Sequence, residues 1–180
     1  AAVKEARLQS VMASYNEIDG IPSHGNRQLL ENILRREWGF TGTVVSDYFG
    51  IRQLRSKHFV VSNNEEAAKL ALESGVDIEL PYIEVNHLLL NLVKEGKLSE
   101  SIVDRAVSRI LQSKFITGLF DSPFVDPETP ESVTNSPAHQ QLALEAARKS
   151  IVLLKNEKSL LPLKKTSYKR IAVIGPNAKD

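Results

Sequence analysis

The 180-residue chain has no cysteine, which excludes disulfide frameworks, thiolate metal sites and cysteine nucleophiles. Compartment stays open, because secreted proteins need not carry disulfides. An excess of charge of either sign is missing too: 23 Lys and Arg stand against 22 Asp and Glu, a formal net charge of +1. No strong field therefore draws the chain to nucleic acid or to an anionic membrane. Long apolar runs are absent; the longest resemble Ile151-Val152-Leu153-Leu154, far short of the roughly 20 residues of a spanning helix. The four histidines, His24, His58, His87 and His139, show no metal spacing such as H-E-x-x-H, so no metal is expected. Residues 1–7 lack the apolar stretch of a signal peptide and no initiator Met precedes them, so the chain reads as beginning mid-domain. What is present, 42% hydrophobic and 25% charged residues, is the balance of a soluble globular protein rather than a disordered one.

The order of patterns along the chain is informative. Residues 9–15 are short and mostly apolar and read as a buried strand. A loop with Asp19-Gly20, Pro22 and Gly25 follows, and Asn26 offers an N-cap to a helix marked by Leu29, Leu30, Ile33 and Leu34 and stopped by Gly39. Residues 42–47 are β-branched and apolar until their end, as in a strand. Ser62 and Glu65 have the spacing of a capping box for a helix that ends at Gly75. Residues 76–80 form another short strand, stopped by Pro81. Residues 83–95 read as a helix with Leu88, Leu89, Leu92 and Val93 on its buried face, and a further amphipathic helix follows Ser99. Strands alternating with amphipathic helices argue for βα units and a parallel sheet.

The stretch 118–137 changes character. It holds four of the eight prolines, Pro123, Pro127, Pro130 and Pro137, among acidic and small polar residues, as an extended linker does. Ser136-Pro137 restarts a helix. Residues 151–154 and 171–175 read as the first strands of a second α/β unit. Three βα units do not close a barrel and two strands do not cover a sheet, so the residues alone suggest a partial α/β domain on each side of a linker.

Asp47 is the clearest candidate for chemistry. In parallel α/β architectures catalytic groups sit at the C-terminal ends of strands, and Asp47 ends the strand 42–46. Its position alone also suits an aspartate that caps the next turn.

The run Val11-Met12-Ala13-Ser14-Tyr15-Asn16-Glu17-Ile18-Asp19-Gly20-Ile21-Pro22-Ser23-His24 resembles glycoside hydrolase family 3. The likeness continues through Glu37-Trp38-Gly39-Phe40, Val44-Val45-Ser46-Asp47-Tyr48 and Gly75-Val76-Asp77-Ile78-Glu79-Leu80-Pro81. It extends over Arg109-Ile110-Leu111 and Ala146-Ala147-Arg148-Lys149-Ser150-Ile151-Val152-Leu153-Leu154-Lys155-Asn156, and ends at Ile171-Ala172-Val173-Ile174-Gly175-Pro176. The resemblance implies an α/β protein: residues 1–116 as the C-terminal part of a TIM-like (β/α)8 barrel, 117–150 as a linker with a helix, and 151–180 as the start of an α/β sandwich domain. It implies an exo-acting, retaining β-glycosidase, β-glucosidase first, with β-xylosidase and N-acetylglucosaminidase as alternatives within the family. The substrate would be an oligosaccharide or an aryl or alkyl β-glycoside, with no cofactor.

On the same resemblance Asp47, in the motif Ser46-Asp47-Tyr48, is the nucleophile. Such a mechanism needs one carboxylate that attacks the anomeric carbon and a second carboxyl about 5 to 5.5 Å away as acid/base. Tyr15 falls on a tyrosine that lines the sugar subsite, where its phenol could reach the nucleophile or the developing ring charge; a core tyrosine with a satisfied hydroxyl is the other reading. Tyr48 stands where many relatives carry Trp and could stack on a sugar or simply pack. The acid/base and the upstream sugar ligands fall outside these 180 residues, so the missing remainder of its own chain is the expected partner.

Other features read as structural. His24 suits a loop histidine bonded to backbone, and Glu79 a hydrogen-bonding role at the end of its strand. Gly175-Pro176 lacks the pattern of a phosphate-binding turn. Lys164, Lys165, Lys169 and Arg170 read as a solvated loop rather than a nucleic-acid patch. A non-catalytic α/β binding piece, with Asp47 only a cap, is the competing reading from another functional class.

Overall fold

The first strand, β1 (Ser10–Met12), lies parallel to β4 (Thr43–Val45), with Val11 opposite Val44. This is a computed structural model, and it describes residues 2–168 and 170–178; Lys169 of the basic cluster lies outside the described residues. The ladder runs one step further, where Ala13 N–H donates to the Val45 carbonyl at 2.9 Å. Between the two strands a short hairpin is formed by β2 (Glu17–Ile18) and β3 (Ile21–Pro22), turning through Asp19 and Gly20, both at positive φ. β1 is not the buried strand that its apolar sequence suggests: Met12 is 54% exposed. Among the described residues β1 pairs only with β4, so burial stops at the shared edge.

The strand expected at 76–80 shrinks to a single parallel bridge between Val45 and Ile78. A side chain explains the interruption. The Val44 N–H, which a neighbouring strand carbonyl would take, is accepted by Asp77 Oδ2 at 2.8 Å. The remaining bonds keep the segment alongside: Asp77 N–H to Val44 O at 2.8 Å and Ser46 N–H to Ile78 O at 2.9 Å.

Helices cover this small parallel layer. The segment Gln28–Glu37 is wound as a π-helix, closing with Trp38 N–H to Ile33 O at 2.9 Å. It begins after Asn26, whose Oδ1 accepts the Leu29 N–H at 2.9 Å, and Gly39 (φ +75) ends it. Next come α1 (Gly50–Ser56) and α2 (Asn64–Ser74). The N-cap of α2 is Asn63 rather than Ser62: Asn63 Oδ1 accepts the Glu66 N–H, and Glu66 Oε2 accepts the Ser62 N–H, both at 2.8 Å. Ile51, Leu54, Ala67, Ala68 and Ala71 are at most 1% exposed and meet Val44 in the core. Full burial of one Ile or Leu contributes about 1.5 to 3 kcal/mol.

The helix expected over 83–95 starts later, as one turn at Asn86–Leu88 and then α3 (Leu89–Lys94), with Leu89 and Leu92 buried. Glu79 causes the delay. Its buried carboxylate accepts the N–H groups of Glu84, Val85 and Asn86 at 2.9 to 3.1 Å and holds that stretch in a bend. The amphipathic helix after Ser99 is α4 (Glu100–Ile116).

A buried ion network ties these parts together. Arg35 of the π-helix reaches Asp77 Oδ2 at 2.6 Å, and Arg109 of α4 reaches Asp77 Oδ1 at 2.9 Å and Glu31 at 3.2 Å. The Asp77 side chain is 1% exposed and that of Arg35 7%.

The chain forms two units, Ala1–Phe124 and Val125–Asp180, and the break falls within the proline-bearing stretch. In the second unit α5 (Thr129–Val133) precedes α6 (Pro137–Ser150), whose N-cap Ser136 accepts the His139 N–H at 3.4 Å, with Pro137 at the first helical position. The strands expected at 151–154 and 171–175 are not formed among the described residues. Leu154 is 93% exposed and Ile174 92%; neither run has a neighbour there to take up its backbone N–H and C=O groups.

Candidate active site

Asp47 leaves the C-terminal end of β4, directly after Ser46, which is fully buried and whose hydroxyl accepts the Leu80 N–H at 2.9 Å. The Asp47 side chain begins the turn into α1, and its Oδ1 accepts the Tyr48 N–H at 2.7 Å. Its own backbone N–H points inward and is accepted by His24 Nε2 at 3.0 Å. His24 is 2% exposed. An acceptor Nε2 carries no proton, so the neutral ring keeps its proton on Nδ1. Burial pulls the imidazole down to about 4; the Asp47 charge works against this shift and His58 adds to it.

The turn itself is tight. Phe49 is left-handed (φ 61, ψ 9), and a Cβ on Gly50 would overlap the His24 ring. A non-glycine residue in that region carries a conformational cost of order 1 kcal/mol or more.

Tyr15, just beyond β1, lies on the same side. Its hydroxyl donates to the Tyr48 carbonyl at 2.6 Å, not to a core partner. The ring remains 36% exposed, and partial loss of solvation, together with the Asp47 carboxylate, raises its phenol above the usual tyrosine value. Lys57 lies over the Tyr15 ring, 6.0 Å from its centroid. Tyr48 is 54% exposed. It meets Phe49 edge-on at 6.4 Å, and Phe49 meets Tyr82 at 5.8 Å, so three aromatic rings run outward from the Asp47 turn. Arg52 covers Phe49 at 5.5 Å and pairs with Glu84 at 2.6 Å.

All three candidate residues, Asp47, Tyr15 and Tyr48, thus share one end of the β1–β4 pair. Glu79 does not join them, because both its oxygens are engaged with the backbone of residues 84–86. Among the described residues no group of three or more His, Asp or Glu is arranged to hold a metal, and no helix is long and apolar enough to cross a membrane. His24 is bonded to backbone, as its sequence setting suggested; that the partner is the Asp47 N–H had no signal, since the two residues are far apart in the chain. The network at Asp77 was equally hidden, although Asp77 and Arg109 stand within the family-like motifs.

Residues 1–113 match the Glycosyl hydrolase family 3 N terminal domain, and residues 151–180 match the Glycosyl hydrolase family 3 C-terminal domain. The chain belongs to glycosyl hydrolase family 3. A β-xylosidase from Formosa agariphila is 43% identical over 189 residues, covering 100% of this chain and 26% of that protein. A β-glucosidase from Erythrobacter marinus superposes with a TM-score of 0.80 at 47% identity, over 91% of this chain and 22% of its own. The β-glucosidase from Listeria innocua, solved in complex with glucose, gives a TM-score of 0.73 at 37% identity, over 85% of this chain and 21% of its own. The chain spans about a quarter of the length of these family 3 proteins.

Proposed function

We propose that this chain contributes the nucleophile half of the active site of a retaining, exo-acting β-glycosidase that removes terminal β-D-glucosyl residues. One observation carries the reading: a carboxylate at the C-terminal end of a parallel strand, its backbone N–H held by a buried neutral imidazole. Residues 1–116 would belong to the C-terminal part of a (β/α)8 barrel, 117–150 to a linker, and 151–180 to the start of a second α/β domain.

In the first step a carboxylate oxygen of Asp47 attacks the anomeric carbon. The glycosidic bond breaks, and the aglycone oxygen leaves with a proton from an acid/base supplied from outside this chain. Water then attacks the same carbon, gives its proton back to that group, and frees Asp47. Tyr15 stands beside the turn that carries the nucleophile, and Tyr48 offers an exposed ring for a bound sugar.

A second reading, β-xylosidase, is favoured by the name of the Formosa agariphila relative. Assay of the whole enzyme on paired aryl β-D-glucosides and β-D-xylosides separates the two by kcat/KM. Trapping with a 2-deoxy-2-fluoro glycoside, followed by peptide mapping, tests the common claim. The adduct is expected on the peptide that contains Asp47, and a label on any other residue would reject the assignment.

A further inference from the structure

His24 does something that a loop histidine need not do: it accepts a hydrogen bond from the backbone of the residue assigned as nucleophile. We infer that His24 is a positioning residue, holding the Asp47 backbone through its Nε2 lone pair so that the carboxylate is aimed before substrate arrives. The inference rests on the nucleophile reading of Asp47.

Three observations converge on this turn. First, the bond is a direct one, Asp47 N–H to His24 Nε2 at 3.0 Å, and the ring is 2% exposed, so no water competes for the lone pair. Second, the ring is held from its other surroundings. Ser23, its neighbour, donates its hydroxyl to the Asn16 carbonyl at 2.7 Å and its N–H to the same carbonyl at 3.1 Å. Gly50 lies against the ring with no room for a Cβ. Third, the turn needs holding. Phe49 is left-handed, a conformation that persists in a non-glycine residue only where its surroundings enforce it.

The Asp47 N–H is the last backbone donor before the reacting side chain. Ser46 N–H is already tied to the Ile78 carbonyl, and Tyr48 N–H is taken by Asp47 Oδ1. Between those two anchors Asp47 N–H has no strand partner, and His24 supplies one. A loop on the far side of the β2–β3 hairpin thereby fixes the aim of a carboxylate at the end of β4. Loss of the acceptor leaves χ1 of Asp47 swinging from a looser backbone, and small displacements of a reacting group cost rate rather than binding.

The test uses the complete enzyme and three variants. His24→Leu removes the acceptor and keeps bulk. His24→Gln keeps an acceptor oxygen at about the reach of Nε2, and His24→Asn is polar but one bond shorter. The expected result is a ten- to hundredfold fall in kcat for Leu and Asn, with KM within about twofold, and recovery to within about fivefold of wild type for Gln. The rate of covalent labelling by a 2-deoxy-2-fluoro glycoside should fall in step with kcat. If His24→Leu does not fold, His24→Asn against His24→Gln carries the same comparison.

Near-normal kcat in a folded His24→Leu or His24→Asn would overturn the inference. So would equal losses in the Gln and Asn variants, because a ring that only fills space is not rescued by an acceptor. Label on the Asp47 peptide with these results would sink His24 alone, whereas label on another peptide would sink the nucleophile reading and the inference with it.

Discussion

The proposed nucleophile Asp47 sits among three interactions that can be tested one residue at a time: its own carboxylate, the Tyr15 hydroxyl on the Tyr48 carbonyl, and His24 on its backbone N–H. Asp47→Asn in the complete enzyme should lower kcat by several orders of magnitude on an aryl β-glycoside while leaving the melting curve in place; near-normal turnover would remove Asp47 from the mechanism. Tyr15→Phe deletes the bond from the phenol to the Tyr48 carbonyl at 2.6 Å, which spans the turn around Asp47. The partner is a neutral carbonyl, so the change should slow kcat by roughly two- to tenfold with a smaller effect on KM, and a variant altered in KM alone would assign Tyr15 to binding instead. His24 also makes stability depend on pH. Its value falls from the ordinary 6.5 to about 4 in the fold, with Asp47 and the Glu17-paired His58 the charged groups that act on it. Between those values the unfolded chain binds the proton that the folded one refuses. Stability therefore falls as pH drops from about 6.5 to about 4, by about 3 kcal/mol, and is unaffected by this group above that window. Urea midpoints at pH 7 and pH 4.5 should draw closer in His24→Gln than in wild type.

At the level of elements, the unit 1–124 is joined through Asp77. Its carboxylate, 1% exposed, binds Arg35 of the π-helix, Arg109 of α4 and the Val44 N–H of β4. Asp77→Ala would leave the Arg35 and Arg109 guanidinium groups with the more distant Glu31 as their remaining carboxylate. The expected loss is about 3 to 5 kcal/mol, seen as a lower denaturation midpoint, and a shift below 1 kcal/mol would show that Glu31 alone satisfies both arginines. This is also where the sequence was least legible. Apolar spacing located the π-helix segment and α4, while end signals located α2, through its capping box and Gly75, and α6, through Ser136-Pro137. The breaks came from single polar side chains. Asp77 takes a ladder position and reduces a strand to a bridge; Glu79 bends residues 84–86 and delays α3; Asn63 and Glu66 move the capping box by one residue. Each of these is a side chain acting on backbone some residues away, which no periodicity records. The position of Asp47 was legible for the opposite reason, since it closes an apolar strand; its role, and those of Tyr15 and Tyr48, came from the family resemblance alone.

At the scale of the molecule, the runs 151–154 and 171–175 stand open, with Leu154 and Ile174 over 90% exposed, and Phe124 is 88% exposed. Apolar side chains exposed to this degree favour association. The 180 residues expressed alone should self-associate in light scattering and show no hydrolysis of an aryl β-glucoside, since one carboxylate does not complete a retaining site. A monodisperse, active species would overturn both expectations. The left-handed Phe49 carries a different lesson, about how the chain would change under selection. A screen for heat tolerance rewards relief of that backbone and should return Gly or Asn at position 49, each worth about 1 kcal/mol at the turn. A screen for turnover should instead keep the aromatic ring that joins Tyr48 to Tyr82 beside the proposed nucleophile. The same position would thus evolve in opposite directions under the two pressures, and the variant recovered would reveal which of them had acted.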